Sequence, residues 1–212
     1  MGVPETTSAT PDKGPRLRSR DRYERRLDDV VTAATRVFAE KGFDATTTED
    51  LMAATGLQRG GLYHYMSHKQ DLLVRIHQRL LEPLLADVLL IHSEPHEAGD
   101  AVRLICHALA RNLRDYNDEM VVFLHEWRKI RDDPAWAEIR RGRRDLEHVI
   151  ERALRRGAAR EQLVIADPRI AALGLLGMFN HAHQWFRLDG RVSAEELAEG
   201  FADIFLLGVQ GR

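Results

Sequence analysis

The sequence predicts an all-α protein of about nine helices, and three observations support this fold class. Apolar residues recur at intervals of three and four along most of the chain, as on one face of an amphipathic helix. Helix start signals of the Ser/Thr/Asp type precede several of these segments. No segment shows a convincing strand-like alternation of apolar and polar residues.

Composition limits the classes of protein that fit. The chain has 212 residues, of which 44% are apolar, so one compact domain and a small appended one can bury a sizeable core. No apolar run approaches the roughly 18 residues of a membrane span, and the N-terminus lacks the layout of a signal peptide. The single cysteine, Cys106, excludes an intrachain disulfide and fits the cytoplasmic location that we expect.

The beginning of the chain differs from the rest in composition. Residues 1–20 are rich in Thr, Pro, Ser, Gly and Arg and lack apolar periodicity, so we expect a disordered basic arm. Arginines crowd its end and the next segment: Arg16, Arg18, Arg20, Arg22, Arg25 and Arg26. Such a cluster can follow a phosphate backbone or enter a minor groove, but a net charge of −2 is equally compatible with a solvated leader.

Two helices are predicted before the first tight turn. The first begins near Arg22 and ends at Gly42. The second begins at Thr47, whose hydroxyl can cap the helix while Asp50, three residues later, completes a capping box. Gly56 ends this second helix and opens the turn.

A short third helix and a long fourth helix follow the turn. The third spans roughly Gln58 to Tyr65. The fourth begins near Ser67–Lys69, where Ser67 with Gln70 offers a capping box. Pro83 lies inside the apolar pattern of the fourth helix and predicts a kink or a break.

Five further helices are predicted in the rest of the chain. Three of them are the segments Ala101–Tyr116, Met120–Ile130 and Asp133–Gly157. Asp167-Pro168 places an N-cap before a proline at the first helical position, a strong start signal. Ser193 with Glu196 forms a full capping box for the last helix.

The segment between Thr46 and Leu73 combines residue types that contact DNA in a helix-turn-helix. The free backbone N–H groups at a helix N-terminus favour a phosphate, two glycines permit close approach, and arginine and glutamine can contact guanine and adenine. Tyrosine, histidine and lysine can donate to phosphates. The candidate DNA-binding residues are Thr47, Thr48, Gln58, Arg59, Gly60, Tyr63, His64 and Lys69.

This segment resembles the DNA-binding domain of the tetracycline repressor (TetR) family over about residues 25–75. The matching residues are Phe38, Gly42-Phe43, Thr46-Thr47, Leu51, Ala54, Gly56-Leu57, Gly60, Leu62-Tyr63, Tyr65, Lys69 and Leu72-Leu73. The sequence departs from the family pattern at Met66, usually phenylalanine, and at His68, usually a small hydroxyl residue. The resemblance implies a helix-turn-helix domain at residues 21–70 and a ligand-binding and dimerisation domain at residues 71–212.

The resemblance also implies a homodimer, formed by the last two helices, that binds double-stranded DNA at a palindromic operator. The segment Ile170–Phe179 is apolar all round, and a stripe of apolar residues follows the last helix, so one side of each can face a partner. Two ordinary core helices are the alternative. The candidate dimerisation residues are Leu173, Gly177, Phe201, Ile204 and Phe205.

A ligand cavity within the larger domain is the third implication. Aromatic and apolar residues, among them Trp136 and Trp185, could line an apolar pocket with a few polar groups. The candidate ligand-binding residues are Phe123, Trp127, Arg131, Asn180 and Gln184. The segments FLHEWRKI and GMFNHAHQWFRLDG are similar to regulators of fatty-acid or steroid breakdown, which suggests an acyl-CoA thioester as the small-molecule effector.

A ligand-responsive repressor without catalytic residues, cofactor or metal is thus the expected function. A helical metal-dependent enzyme or metal sensor is the alternative, because the chain has 10 histidines, including His107, His125, His181 and His183. A spacing of two puts His181 and His183 on different helix faces, however, and no HExxH-like signature occurs. A structural adaptor that uses its helices only for protein contacts is a third possibility.

Overall fold

The predicted all-α fold is confirmed by a computed structural model, which describes residues 15–132 and 134–209. Within these ranges the chain forms nine α-helices and one 3-10 turn. The elements are α1 (Pro15–Lys41), α2 (Thr48–Thr55), α3 (Arg59–Tyr63), α4 (Lys69–Ser93), α5 (Ala98–Asp115), α6 (Asn117–Asp132), the 3-10 turn (Pro134–Trp136), α7 (Ala137–Ala159), α8 (Pro168–Ala182) and α9 (Ala194–Val209). No helix in these ranges is long and apolar enough to cross a membrane.

The predicted helix caps of α2 are present. Thr47 Oγ1 accepts a hydrogen bond from the backbone N–H of Asp50 at 3.1 Å, and the Asp50 carboxylate accepts one from the backbone N–H of Thr47 at 3.0 Å. Gly56 ends the helix in the left-handed region, at φ +67°, where glycine is favoured. Lys41 Nζ lies 2.5 Å from the Asp50 carboxylate and, with the Thr47 donors, lowers the pKa of Asp50 to about 2.

The predicted caps of α8 and α9 are also present. Asp167 accepts hydrogen bonds from the backbone N–H groups of Arg169 and Ile170, with Pro168 at the first helical position. Ser193 and Glu196 form the reciprocal pair expected of a capping box. Capping residues therefore identified these helix starts correctly.

Apart from shifts of up to three residues at the ends of α3, α5 and α6, four predicted features of the helices differ from the structure. Helix α1 begins at Pro15, so residues 15–20 of the predicted disordered arm are helical, whereas residues 1–14 and the side chains of Arg16 and Arg18 lie outside the described part. The start of α4 is capped by Asp71, and not by the predicted Ser67–Gln70 box, because the Asp71 carboxylate accepts from the backbone N–H groups of Ser67 and His68. Helix α4 also continues through Pro83, so of the predicted kink or break the break is absent.

The fourth difference is the end of α7. The helix continues past Gly157 to Ala159, and its predicted start residue Asp133 lies outside the described part. A Cβ atom on Gly157 would lie 2.7 Å from the Cβ of Ala98 in α5. This glycine therefore marks a close helix–helix approach and not a helix end.

The buried side chains form two clusters that share helices. The smaller cluster joins α1, α2 and α3 to Leu72, Leu73 and Ile76 of α4, and it includes Val122 and Ile130 of α6. The larger cluster is built from α4 to α9. Helices α4 and α6 thus contribute side chains to both cores.

Candidate DNA-binding surface and ligand cavity

Helices α2 and α3 present most of the predicted DNA-binding residues to solvent. Arg59 is the first residue of α3 and Gln58 is its N-cap residue, and both are exposed. Thr47 at the start of α2 is exposed, and Thr48 beside it is half-buried. The helix-turn-helix therefore places helix N-termini and polar side chains on one small unit.

Two aromatic side chains follow Arg59 on this unit. Tyr63 is 46% exposed, and His64 is also exposed. The ring of Tyr23 in α1 packs edge-on against His64, with centroids 5.4 Å apart, and stacks on Tyr65 at 5.3 Å. Tyr23 thus braces the end of α3 against α1 while Tyr63 stays accessible.

Packing within the chain does not require glycine at position 60 in α3. A Cβ atom added there meets nothing within 4 Å. Glycine costs about 1 kcal/mol relative to alanine inside a helix. Close approach of an external surface accounts for this residue better than internal packing does.

Arg59 forms an ion pair within the helix-turn-helix. Its guanidinium lies 2.6 Å from the carboxylate of Glu49 in α2, and both side chains are well exposed. Exposed pairs of this kind stabilise a fold by less than about 1 kcal/mol. The pair therefore adds little to the stability of the fold.

Lys69 has a different environment from the one predicted. Its Nζ donates to the backbone carbonyls of Phe43, Asp44 and Thr46 at 2.6, 3.2 and 2.9 Å, and lies 4.6 Å from the Phe43 ring centroid. An ammonium group has three donors, so the loop between α1 and α2 accepts all of them. The geometry favours a loop-positioning role over the free phosphate contact that the sequence suggested.

An apolar cavity of about 160 Å³ lies between helices α4 to α8. Its apolar walls include Leu80, Leu84, Phe123, Leu176 and Phe179. Its polar lining consists of Asn112, Arg143, Glu147 and Asn180. The cavity has the character of a small-molecule site, mostly apolar with a few polar groups.

Arg143 is a charged residue of the cavity lining that contacts both an aromatic ring and a carboxylate. Its guanidinium lies 3.9 Å from the ring centroid of Trp127 and pairs with Glu147 at 2.8 Å. The Trp127 ring in turn stacks on Phe123, with centroids 5.8 Å apart. The side chains of Arg143 and Glu147 are each 24% exposed, and the lining residues Leu173 and Gly177 are also exposed, so the cavity is accessible from solvent.

The predicted ligand-binding residues divide into two groups. Phe123 and Asn180 line the cavity, and Trp127 supports Phe123 and Arg143 from behind. Arg131 and Gln184 are exposed and lie outside the cavity lining.

Two further tryptophans of the predicted apolar pocket also lie elsewhere. Trp136 packs edge-on against Phe43 in the smaller core, and Trp185 is exposed beside Phe201. The sequence missed Asn112, Arg143 and Glu147.

His77 of α4 adjoins the cavity wall on its other side. Its ring packs against Phe123 at 5.2 Å, and its Nδ1 donates to the backbone carbonyl of Leu73 at 2.7 Å. Burial lowers the pKa of His77 to about 4. The ring is therefore neutral at physiological pH.

Helices α8 and α9 expose large apolar side chains. Ile170, Leu173, Ile204 and Leu207 are between 43% and 78% exposed. Of the predicted dimerisation residues, Leu173, Gly177 and Ile204 are on the surface, Phe201 is half-buried, and Phe205 is buried at 9%. Phe205 therefore packs inside its own chain, whereas the exposed residues are accessible on its surface.

The histidines do not assemble into a metal site in the described part of the chain. Nowhere in residues 15–132 and 134–209 do three or more His, Cys, Asp or Glu side chains form a group that could bind an ion. His107 lies 2.6 Å from Glu199, His183 is paired with the backbone carbonyl of Asn180, and His125 and His181 are exposed. The hypothesis of a metal enzyme or metal sensor is not supported.

Comparisons with known proteins identify the family. The profile described as bacterial regulatory proteins, tetR family, matches residues 30–76, and the one described as tetracyclin repressor-like, C-terminal domain, matches residues 96–209. The chain belongs to the TetR family of regulators. The predicted resemblance is thereby confirmed.

Individual relatives agree with this assignment. The chain is 20% identical to the HTH-type transcriptional repressor KstR2 of Mycobacterium tuberculosis over 188 residues, which is 87% of this chain and 92% of that protein. The structure of PfmR from Thermus thermophilus superposes with a TM-score of 0.76 at 29% identity, over 84% of this chain and 97% of that one. AibR, solved with isovaleryl coenzyme A and operator DNA, superposes with a TM-score of 0.76 at 22% identity, over 85% and 98% of the two chains.

Proposed function

We propose that this protein is a dimeric repressor that binds a palindromic operator and is released by a coenzyme A thioester with a short acyl group. The observation that supports the effector is the apolar cavity, whose lining includes the charged side chain of Arg143. The observations that support operator binding are the exposed Arg59, Tyr63 and His64 on a TetR-family helix-turn-helix.

The size of the cavity favours a short acyl group. The cavity volume is about 160 Å³, and an apolar cavity of about 150 Å³ is known to bind benzene, which has about the bulk of a short acyl chain. AibR, of the same fold, binds isovaleryl coenzyme A. A fused steroid ring system would require the cavity to expand.

Arg143 provides hydrogen-bond donors that such a thioester can use. Its guanidinium lies in the cavity lining, 5.7 Å from the Phe123 ring, where it can donate to the thioester carbonyl or to an amide oxygen of the pantetheine arm. Binding there would compete with Glu147, which is 2.8 Å away. The acyl group would then enter between Phe123 and Phe179.

Release of DNA requires that the ligand prefer a form with misplaced recognition helices. Helices α4 and α6 contribute side chains to both cores, so a shift of either helix at the cavity also shifts the helix-turn-helix. The resulting coupling should be about 1–3 kcal/mol and reciprocal.

The test uses an operator selected from a random duplex library and a series of acyl-CoAs from acetyl to palmitoyl, with free coenzyme A as the control. We expect a C4–C5 acyl chain to bind best and to bind several-fold more weakly when operator is present. Equal affinity with and without operator would contradict the proposed release mechanism. If palmitoyl-CoA binds most tightly, the proposal that the effector has a short acyl group is wrong.

A further inference from the structure

Asn112 is a polar residue at the buried end of the ligand cavity. It belongs to α5 and is only 5% exposed. Its Nδ2 donates to the backbone carbonyl of Leu80 in α4 at 2.9 Å. This hydrogen bond fixes the orientation of the amide, because a flipped amide would bring two oxygens together.

The other atom of this amide lacks a hydrogen-bond partner. Asn112 Oδ1 is buried, and within the described part of the chain no donor lies in hydrogen-bonding distance. A buried polar atom left in this state costs roughly as much as a lost hydrogen bond, so most such atoms in folded proteins have partners. The neighbouring lining of the cavity, Leu80, Leu84 and Leu109, contains only aliphatic side chains.

The two polar parts of the cavity thus differ in what they recognise. Arg143 and Glu147, each 24% exposed, can meet the polar thioester end of a ligand. Asn112, at 5% exposure, is less accessible, and its Oδ1 is an acceptor without a partner. A plain hydrocarbon end would leave that acceptor unpaired.

We propose that the effector presents a hydroxyl group to Asn112 Oδ1, which makes it a hydroxyacyl thioester and not an unsubstituted acyl thioester. This inference rests on the proposed function for the thioester, but the hydroxyl preference of the cavity can be tested separately. Asn112 is then a specificity-determining residue. Sites that hydrogen-bond a substrate hydroxyl discriminate strongly against the analogue that lacks it.

The direct test uses phenol and fluorobenzene, which are similar in size and differ in the donor. We expect wild-type protein to bind phenol about three- to tenfold more tightly, as measured by ligand-observed NMR titration. In Asn112→Leu the preference should reverse, because the hydroxyl would be buried without an acceptor. Asn117→Leu is the matched control, since Asn117 also has a buried, partnerless Oδ1 but lies outside the cavity lining.

The outcomes distinguish the inference from the proposed function. Tighter binding of fluorobenzene by wild type, an unchanged phenol preference in Asn112→Leu, or exclusion of both probes at millimolar concentration would overturn the hydroxyl site. If Asn112→Leu fails to fold, the preference of the wild-type protein between phenol and fluorobenzene tests the hydroxyl site. A second experiment compares 3-hydroxybutyryl-CoA with butyryl-CoA in releasing the protein from its operator. Tighter binding of 3-hydroxybutyryl-CoA supports the inference, and equal binding of the two overturns it for the natural effector. If neither thioester releases the operator but the phenol preference is intact, only the proposal of a thioester is contradicted.

Discussion

Glu126 in α6 accepts a hydrogen bond of 3.1 Å from the backbone N–H of Phe43, in the loop that joins α1 to α2. The neighbouring residue Trp127 contacts Arg143 at the cavity, and Phe123, one turn earlier, lines the cavity wall. One helix therefore contacts the proposed ligand on one side and the helix-turn-helix backbone on the other. Glu126 is a specific connection between the two.

Replacement of Glu126 should weaken this connection. In Glu126→Ala the Phe43 N–H loses its acceptor, so we expect a loss of about 1 kcal/mol in unfolding free energy and a smaller effect of the acyl thioester on operator affinity. Glu126→Gln retains an acceptor oxygen and should behave like wild type. Fluorescence anisotropy of labelled operator with and without ligand measures the coupling. An unchanged coupling in Glu126→Ala would show that α6 does not transmit the signal through this bond.

Replacing Glu49 and replacing Arg59 should have opposite effects on operator affinity. Arg59→Ala should cost about 1–3 kcal/mol of binding and relax specificity at one base pair. Glu49→Gln removes the carboxylate 2.6 Å from the guanidinium and should tighten binding. Glu40→Gln, an exposed change of equal charge at the end of α1, controls for net charge. A Glu49→Gln protein no tighter than Glu40→Gln would mean that the ion pair does not restrain Arg59.

Local signals in the sequence predicted most of the fold. The helix starts at Thr47, Asp167 and Ser193 were identified because a capping side chain acts on its own backbone, within three residues. Local signals were less informative at Pro83 and Gly157, because tertiary packing decides whether a helix continues past such residues. Helix α4 has buried residues on both sides of Pro83, and a Cβ atom on Gly157 would meet Ala98, which is distant in sequence.

The missed cavity and coupling residues have one feature in common. Asn112, Glu126 and Arg143 each occupy a position on the apolar stripe of a helix, three or four residues from buried neighbours. Asn112 follows Leu109 by three residues, and Arg143 follows Ile139 by four. A polar residue at such a position is a usable signal. The partner that each one contacts could not be predicted, because helix pairing is not encoded in spacing along one helix.

Gly60→Ala should separate fold stability from DNA binding. Because a Cβ atom there meets no neighbour within 4 Å, alanine should raise the unfolding free energy by up to about 1 kcal/mol. The same methyl group should weaken operator binding if the recognition helix lies close to the duplex. Gly99→Ala is a matched control, since Gly99 is also the second residue of a helix, α5, and has open space around it. Undiminished operator affinity in Gly60→Ala would contradict a close approach at α3.

Lys69→Ala tests whether this lysine contacts DNA or organises the loop. The three carbonyl acceptors predict a loss of about 2 kcal/mol in unfolding free energy. A lysine used in this way should leave the salt dependence of operator affinity nearly unchanged. A direct phosphate contact would instead lower the slope of log affinity against log salt by about one. Urea unfolding and operator titration at several salt concentrations distinguish the two roles.

Ile204 is the most direct probe of the proposed dimer. It is 63% exposed on α9, near Leu207 at 78%, so Ile204→Glu should separate the subunits and leave each fold intact. Phe205→Glu changes a residue that is 9% exposed and should unfold the subunit instead. Light scattering at micromolar concentration, with circular dichroism as the folding control, distinguishes dissociation from unfolding. Because a TetR-type dimer would place its recognition helices about 34–36 Å apart on a palindrome, the Ile204→Glu monomer should also lose affinity for the full operator while retaining weak half-site binding. A wild-type protein that is monomeric under these conditions would contradict the dimer.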